Sequence, residues 1–428
     1  MIIRNEKWNE EYYYEKLSNG LEIYLMKKPE YKKTYASMAV NFGSVDLSFI
    51  PPFKDEYINV PIGTAHFMEH EMFELKDDIS LKFAEYGSEC NAFTTFDRTV
   101  YSFSTLENLD KCLKLLLELV QTKKYTEESI RRERNNIIQE IKMYDNIVNN
   151  VFYNESLCSI YHKNLIRYEI SGYEDTINLI NKEILDQCFD AFYHPSNMCL
   201  VVVGNFDYQE IIDLIKEDQN TKQFRDFTII KRKYPEEPLE IVQKKIVKNH
   251  NLRIPKVSLN LKIPSVHSDS MTNLLKDLAL AILVDFNFDE TSLFYEDLLN
   301  NDIINNTYGY DSFVDDGFSY FMIFCDTHKY VQFETKVINK MKSLKPLTEE
   351  DLKRYKNTIY AANIRKMNNL EYYVTMLIDA CFCNLTLFDI FNAINNVTLE
   401  DVNKMIKVFK EDKITTVIFM DEEHQLSN

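Results

Sequence analysis

The sequence predicts an α+β protein built from two homologous layered domains, each a mainly antiparallel sheet with helices packed on one face. Three observations carry this. Within each half, short alternating strands come first, helical periodicities follow, and an apolar strand closes the half. The halves echo each other at several points, as a duplicated domain does. A polar, proline-marked stretch, Lys231-Arg232-Lys233-Tyr234-Pro235-Glu236-Glu237-Pro238, falls near the middle of the 428 residues and reads as a linker. The domains are drawn accordingly at 1–230 and 239–428, joined by 231–238.

In the first half, residues 21–25 and 37–41 alternate as strands, and 91–95 and 100–103 form a hairpin around Asp97-Arg98. Helical periodicity runs through 64–74, 79–86, 106–120 and 126–148. The apolar run within 113–120 reads as core, being far shorter than the roughly 20 residues that cross a bilayer. His194-Pro195 marks the turn before a closing strand at 200–203, and the second half closes at 416–419. The duplication is visible where Thr126-Glu127-Glu128-Ser129-Ile130 matches Thr348-Glu349-Glu350-Asp351-Leu352. Each is a helix start, with a Thr cap and acids in the first turn where the dipole favours them. Ser80-Leu81-Lys82-Phe83 similarly matches Ser292-Leu293-Phe294-Tyr295.

Composition removes several function classes. Lys and Arg number 49 against 67 Asp and Glu, giving a net charge of −18. A nucleic-acid backbone and an anionic membrane surface both need the opposite sign. Only eight glycines are present, and no phosphate-cradling or dinucleotide-binding glycine loop occurs. The eight cysteines are scattered, and Cys381-Phe-Cys383 has the wrong gap for a zinc knuckle or a redox pair. No apolar stretch is long enough to span a membrane, and the first residues lack the pattern of a signal peptide. The expected location is therefore the cytoplasm.

One constellation carries chemistry. Gly63-Thr64-Ala65 leads into His66-Phe67-Met68-Glu69-His70. On a helix, positions i, i+3 and i+4 share a face, so both imidazoles and the Glu69 carboxylate point the same way. This is the inverted form of the zinc-protease helix, in which two His hold zinc and the carboxylate handles a water. The competing reading is two histidines on an ordinary amphipathic helix. A catalytic zinc takes a third protein ligand, and the helix at 126–148 offers Glu133 and Glu140, seven residues apart. Both lie beside the apolar positions Ile130 and Ile137 on a face that also takes in Ile141 and Val148. A buried unpaired carboxylate needs a cation. The alternative is that both acids stand solvated at the rim, or pair with Arg131 or Arg134.

The second half serves as an internal control. With Thr126 laid on Thr348, Glu133 falls on Tyr355 and Glu140 on Ala362. With Ser80 laid on Ser292, His66, Glu69 and His70 fall on Leu278, Ala281 and Ile282. The scaffold is repeated while all five polar groups are absent together, which favours a metal site in the first half alone. The remaining histidines, His162, His194, His250, His267, His328 and His424, are isolated.

These residues resemble the insulinase/pitrilysin family of inverted-zincin metallopeptidases. The resemblance runs through Gly63 to Glu74, Asn91-Ala92-Phe93-Thr94, the Glu133 and Glu140 pair, and Tyr193-His194-Pro195-Ser196-Asn197-Met198 before Gly204-Asn205. It covers essentially the whole chain and is nearest to half-size bacterial members similar to processing peptidases. It implies that His66, His70 and Glu140 bind Zn2+, that Glu69 is the catalytic general base, and that Glu133 supports the site from behind the ligands. It also implies peptide substrate added as a strand along Asn91, Ala92 and Phe93, a degenerate and non-catalytic second domain, and two chains closing a chamber around an unfolded peptide.

The chain departs from the family pattern in one respect. Catalytically complete members place an Arg and a Tyr in the second domain to hold the substrate carbonyl. The corresponding stretch here, 300–310, keeps Tyr308 and Tyr310 but has no Arg, and tyrosine cannot replace a planar cationic fork. The partner expected from this is a related but non-identical subunit supplying the missing pair, with a homodimer as the alternative. A non-catalytic scaffold member and a hydrolase of non-peptide substrates are the rival functions.

Overall fold

The computed structural model describes residues 1–52, 54–73, 79–264, 268–315 and 317–421. Glu74, His267 and His424, named above, lie outside these residues. The chain forms two compact units. The first comprises Met1–Tyr144, Tyr168–Tyr234 and Lys366–Phe388, and the second Asp145–Arg167, Pro235–Arg365 and Asp389–Asn428. The chain passes between them at Tyr234 and Pro235, and each unit also takes a segment from the opposite half of the sequence.

The first unit is organised on a seven-stranded sheet. Its spatial order is Ile2–Asn5, Glu10–Lys16, Glu22–Lys27, Met198–Gly204, Thr34–Val40, Thr99–Thr105 and Ser88–Thr94. All pairs are antiparallel except Glu22–Lys27 with Met198–Gly204. The expected hairpin around Asp97-Arg98 is present, and its strand Ser88–Thr94 forms an open edge of the sheet. Strands at the centre are buried on both faces, so they read as apolar runs such as Val201, Val202 and Val203.

One face of this sheet packs on helices of the same half. Leu109–Gln121 supplies Cys112, Leu113, Leu116 and Val120 to a core shared with Ala36, Met38, Leu200 and Phe103. The helix expected at 106–120 is thus core. The opposite face is covered by Leu370–Phe382 from the second half of the sequence. An ion pair of 2.5 Å between Arg98 Nη1 and Asp379 Oδ1 fixes this helix, and the Lys28 ammonium lies over the Tyr373 ring. Helices on one face is therefore right for each half's own helices, and the exchanged helix closes the other face.

The second unit repeats the plan with five strands, ordered Lys245–Asn249, Ile414–Met420, Lys256–Lys262, Ser319–Asp326 and Gly309–Val314. Its borrowed helix is Val148–Ile160 from the first half, which packs on Lys256–Lys262 and Ile414–Met420 through Phe152 against Val417 and Phe419. Here the sequence reading needs correction. The periodicity at 126–148 is one helix only to Asp145, and Val148 opens the next helix. The break lets residues 145–167 leave the first unit and join the second.

No single helix among the described residues is long and apolar enough to cross a membrane.

Because each sheet is closed by a helix from the other half of the sequence, neither half holds a complete core. Residues 1–234 expressed alone should aggregate or lack a cooperative thermal transition, and co-expression with 235–428 should restore both solubility and the transition. A 1–234 fragment that is soluble and unfolds cooperatively by calorimetry would show that the borrowed helix is dispensable.

Candidate active site

The helix Thr64–Phe73 begins where Gly63 turns the chain with φ +91, a conformation that side-chain-bearing residues rarely adopt. A Cβ on Gly63 would also stand 2.7 Å from Ser171 O, so only glycine lets this turn pack against the loop at Gly172. Ala65, Phe67, Met68 and Met72 fill the core on one side of the helix. That fixes the opposite side, and His66, Glu69 and His70 are the residues on it.

The long helix Glu127–Asp145 lies alongside. Its start is a reciprocal cap, in which Ser129 N–H donates to Thr126 Oγ1 at 3.1 Å and Thr126 N–H donates to Ser129 Oγ at 2.9 Å. Ile130, Ile137 and Ile141 are buried in the core, and Glu133 and Glu140 face the histidines. Glu140 Oε2 stands 3.3 Å from His70 Nε2, and Glu140 Oε1 stands 3.8 Å from His66 Nε2. The other side of the His70 ring, Nδ1, contacts Glu133 Oε2 at 3.2 Å. Glu133 is only 4% exposed, and its second oxygen accepts a bond from Asn136 Nδ2 at 2.8 Å. Glu133 is not the solvated rim residue of the alternative reading, Glu140 is half-buried against the histidines, and neither pairs with an arginine among the described residues.

His66, His70 and Glu140 each offer one ligand atom within 4.8 Å of the others, and among the described residues they are the single group of this kind. Atoms bound at about 2.0–2.2 Å to one tetrahedral ion stand roughly 3.3–3.6 Å apart. The 3.3 Å from Glu140 Oε2 to His70 Nε2 falls within that range, and the 3.8 Å from Glu140 Oε1 to His66 Nε2 lies just beyond it. His70 held by a carboxylate through Nδ1, with Nε2 turned to the cluster, is how a metal-ligating imidazole is oriented. His66 Nδ1 is buried without a hydrogen-bond partner. Two imidazoles and one carboxylate with a position left open fit a catalytic zinc.

The charges in the cluster respond to one another. Burial and the neighbouring His70 hold His66 well below the usual imidazole range. Burial also opposes charge on His70, but its hydrogen bonds to Glu133 and Glu140 prevail and push it up to about 9. Glu140 is lowered, chiefly by its bond to His70. Burial raises the Glu69 carboxyl.

Glu69 is the link to the sheet. Thr94 Oγ1 donates to Glu69 Oε2 at 2.5 Å, and Thr94 ends the edge strand that carries Asn91, Ala92 and Phe93. Asn91 and Phe93 are exposed, the latter to 46%, and Ala92 is half-buried. A cavity of about 740 Å³ runs between this strand and the start of the long helix, with Glu69, His70, Phe73, Asn91, Ala92 and Glu133 among its walls. The structure thus brings every expected site residue into one region of the first unit.

Sequence reasoning missed some of the supports. Thr94 was visible only as part of a motif, and Asn136 sits three residues beyond Glu133, a helical neighbour with no distinctive spacing. Tyr144, one turn past Glu140, also hydrogen-bonds that carboxylate. Glu71 was likewise overlooked, since an acid beside a histidine looks like surface. It is 1% exposed, Ser129 Oγ donates to its Oε2 at 2.7 Å, and burial pushes its carboxyl up to about 7.

In the second unit the matching helices are Ser270–Phe288 and Glu349–Lys366. Tyr355 stands at the position of Glu133, buried and ring-packed on Phe286, and Ile282 stands in place of His70 within the core. Tyr308 and Tyr310 donate their hydroxyls inside this unit, to Phe288 O at 2.7 Å and Asp285 Oδ1 at 2.9 Å.

Comparisons with known proteins agree with this geometry. The profile of the insulinase family, peptidase family M16, matches residues 55–170, and that of the peptidase M16 inactive domain matches 179–359. The chain is 32% identical over 407 residues to the zinc protease YmfH of Bacillus subtilis (strain 168), itself uncharacterized, covering 95% of each. It is 25% identical over 204 residues to the mitochondrial-processing peptidase subunit beta of Neurospora crassa, covering 46% of this chain and 41% of that one. A protein from Alicyclobacillus acidocaldarius assigned as an M16-like peptidase superposes with a TM-score of 0.92 at 29% identity, over 98% of this chain and 100% of its own. With an inverted histidine helix, a facing glutamate and similarity sustained along both halves, the chain belongs to the insulinase family of zinc metallopeptidases, peptidase family M16.

Proposed function

We propose that this zinc peptidase cleaves unfolded peptides, or peptide precursors, that pair as an added strand with Ser88–Thr94. In this reading His66, His70 and Glu140 hold the metal, Glu133 orients His70, and Glu69 is the general base. Asn91, Ala92 and Phe93 receive the substrate main chain. The observation that carries it is the 2.5 Å hydrogen bond between Glu69 and Thr94, which ties the acid–base group to the end of the open strand.

A bound zinc lowers the pKa of water toward about 7 and polarises a carbonyl oxygen. The remaining work falls to the protein. Thr94 occupies Glu69 Oε2, which leaves Oε1 to take a proton from the attacking water. Glu69 then delivers that proton to the departing amine nitrogen as the C–N bond breaks. Its burial favours this exchange, because a carboxyl raised from its ordinary range holds the proton more readily in transit. The edge strand supplies main-chain hydrogen bonds, which give affinity for any extended peptide, while side-chain pockets select among them.

The reading extends to a second, related but non-identical subunit that completes a closed chamber. It is supported by the lack of an Arg in 300–310 and by the internal bonds of Tyr308 and Tyr310, which leave neither hydroxyl uncommitted to its own unit. The relative from Neurospora crassa is itself a subunit by name. The cytoplasm remains the proposed location.

Glu69→Gln should keep zinc, measured by metal analysis, and lose about 10²–10⁴-fold in cleavage of a quenched peptide; wild-type turnover would remove Glu69 from the chemistry. Glu133→Ala should weaken zinc binding by about 10–100-fold, read by competition with a chelator. Co-purification from the native source should yield a related chain whose addition raises peptide cleavage. Equal activity from the chain alone and from the reconstituted pair would refute the shared site.

A further inference from the structure

Glu71 has no part in the reaction as described, yet it follows His70 directly and is almost wholly buried. One of its oxygens, Oε1, has no hydrogen-bond partner, and the other accepts from Ser129 Oγ at 2.7 Å. A buried carboxyl group with one oxygen unsatisfied is unfavourable compared with an apolar side chain of the same size. The fold shows what it would otherwise use. By the same alignment that lays Ser80 on Ser292, Glu71 falls on Leu283, which is 0% exposed in the core of the second unit. The scaffold accepts leucine at this place where no metal ligands stand beside it.

Ser129 is the other half of the contact. It completes the cap of the long helix, and its hydroxyl also lies 3.0 Å from Thr126 O. Of its two acceptors the Glu71 carboxyl oxygen is the nearer. Its counterpart Asp351 makes the cap to Thr348. Ser129 and Glu133 are one helical turn apart on the same face. Two rungs therefore join the same pair of helices side by side: Glu71 to Ser129, and His70 to Glu133 at 3.2 Å.

We propose that Glu71 is a positioning residue which, through Ser129, sets the first turns of the long helix against the histidine helix and thereby fixes Glu133 and Glu140 relative to His66 and His70. This rests on the assignment of His66, His70 and Glu140 as zinc ligands. A sub-ångström slip between the helices changes every ligand distance at once, so the latch acts on metal affinity rather than on folding.

The test uses the full-length protein, with zinc affinity from chelator competition and the thermal midpoint of the zinc-free form measured side by side. Glu71→Leu and Ser129→Ala should each weaken zinc by about 10-fold or more, while the midpoint of zinc-free Glu71→Leu stays at or above wild type. Glu71→Gln retains an acceptor for Ser129 and should remain within about threefold of wild type, the rescue that a latch predicts. The double variant Glu71→Leu/Ser129→Ala should bind no more weakly than the worse single variant, since both remove one contact. Wild-type affinity in Glu71→Leu overturns the proposal, as does Glu71→Gln binding as weakly as Glu71→Leu. If Glu71→Leu does not fold, wild-type affinity in Ser129→Ala overturns it. Glu140→Gln separates the two levels: zinc retained there removes the ligand assignment itself, whereas zinc lost there but kept in Glu71→Leu removes only the latch.

Discussion

Two helices facing each other through a buried Glu133 and the half-buried His66, His70 and Glu140 set the terms for the first unit. Glu133 stands 3.2 Å from His70, and Glu140 stands 3.3 Å from His70 and 3.8 Å from His66, in a region where burial penalises any isolated charge. The two imidazoles respond in opposite directions: burial and then the neighbouring His70 lower His66, while hydrogen bonds to Glu133 and Glu140 raise His70 against its burial. The arrangement is therefore built around a cation. A proton on His70 meets that need only partly, since it answers two carboxylates with one charge. A divalent ion held by three of the four groups answers it more fully, with the fourth, Glu133, orienting a ligand.

Everything around the helix pair serves to hold it. Phe67, Met68 and Met72 anchor one helix in the core, and Ile130, Ile137 and Ile141 anchor the other, so the ligands occupy the faces left over. The Gly63 turn sets where the first helix begins, and the capping exchange between Thr126 and Ser129 sets where the second begins. Thr94 couples Glu69 to the edge strand, which places proton transfer and main-chain pairing in one rigid frame. Sites carried on helices and strands keep their geometry better than sites on loops.

Much of this was legible because the ligand spacings are local. His66, Glu69 and His70 fall at i, i+3 and i+4, and Glu133 and Glu140 at seven residues, so helical periodicity alone puts each set on one face. The duplication then distinguished the two halves by what the second lacks. The exchanged helices were not legible. Val148–Ile160 continues the polar–apolar rhythm of the preceding helix, and nothing in its composition says that its buried face belongs to Val417 and Phe419, more than 250 residues away. Leu370–Phe382 is equally silent about the sheet it covers. Periodicity reports that a face is buried, not against what. The same blindness hid Glu71, because an acid next to His70 carries no sign of burial until Ser129 is found opposite it.

The second unit shows how little of the fold depends on the chemistry. Leu278, Ala281 and Ile282 stand where the histidine helix has its polar face, and Tyr355 packs on Phe286 where Glu133 holds His70. Ile282 and Leu283 are wholly buried, and Phe286 and Tyr355 join the two helices without any cluster of acids and imidazoles between them. That interface is cheaper to form, since packed hydrocarbon avoids the desolvation of four ionisable groups. A chain that keeps both versions in one molecule holds the charged one against its own energetic preference. The charged pair is then expected to be the less stable of the two when metal is withheld, and the first unit, not the second, is the one whose integrity zinc governs.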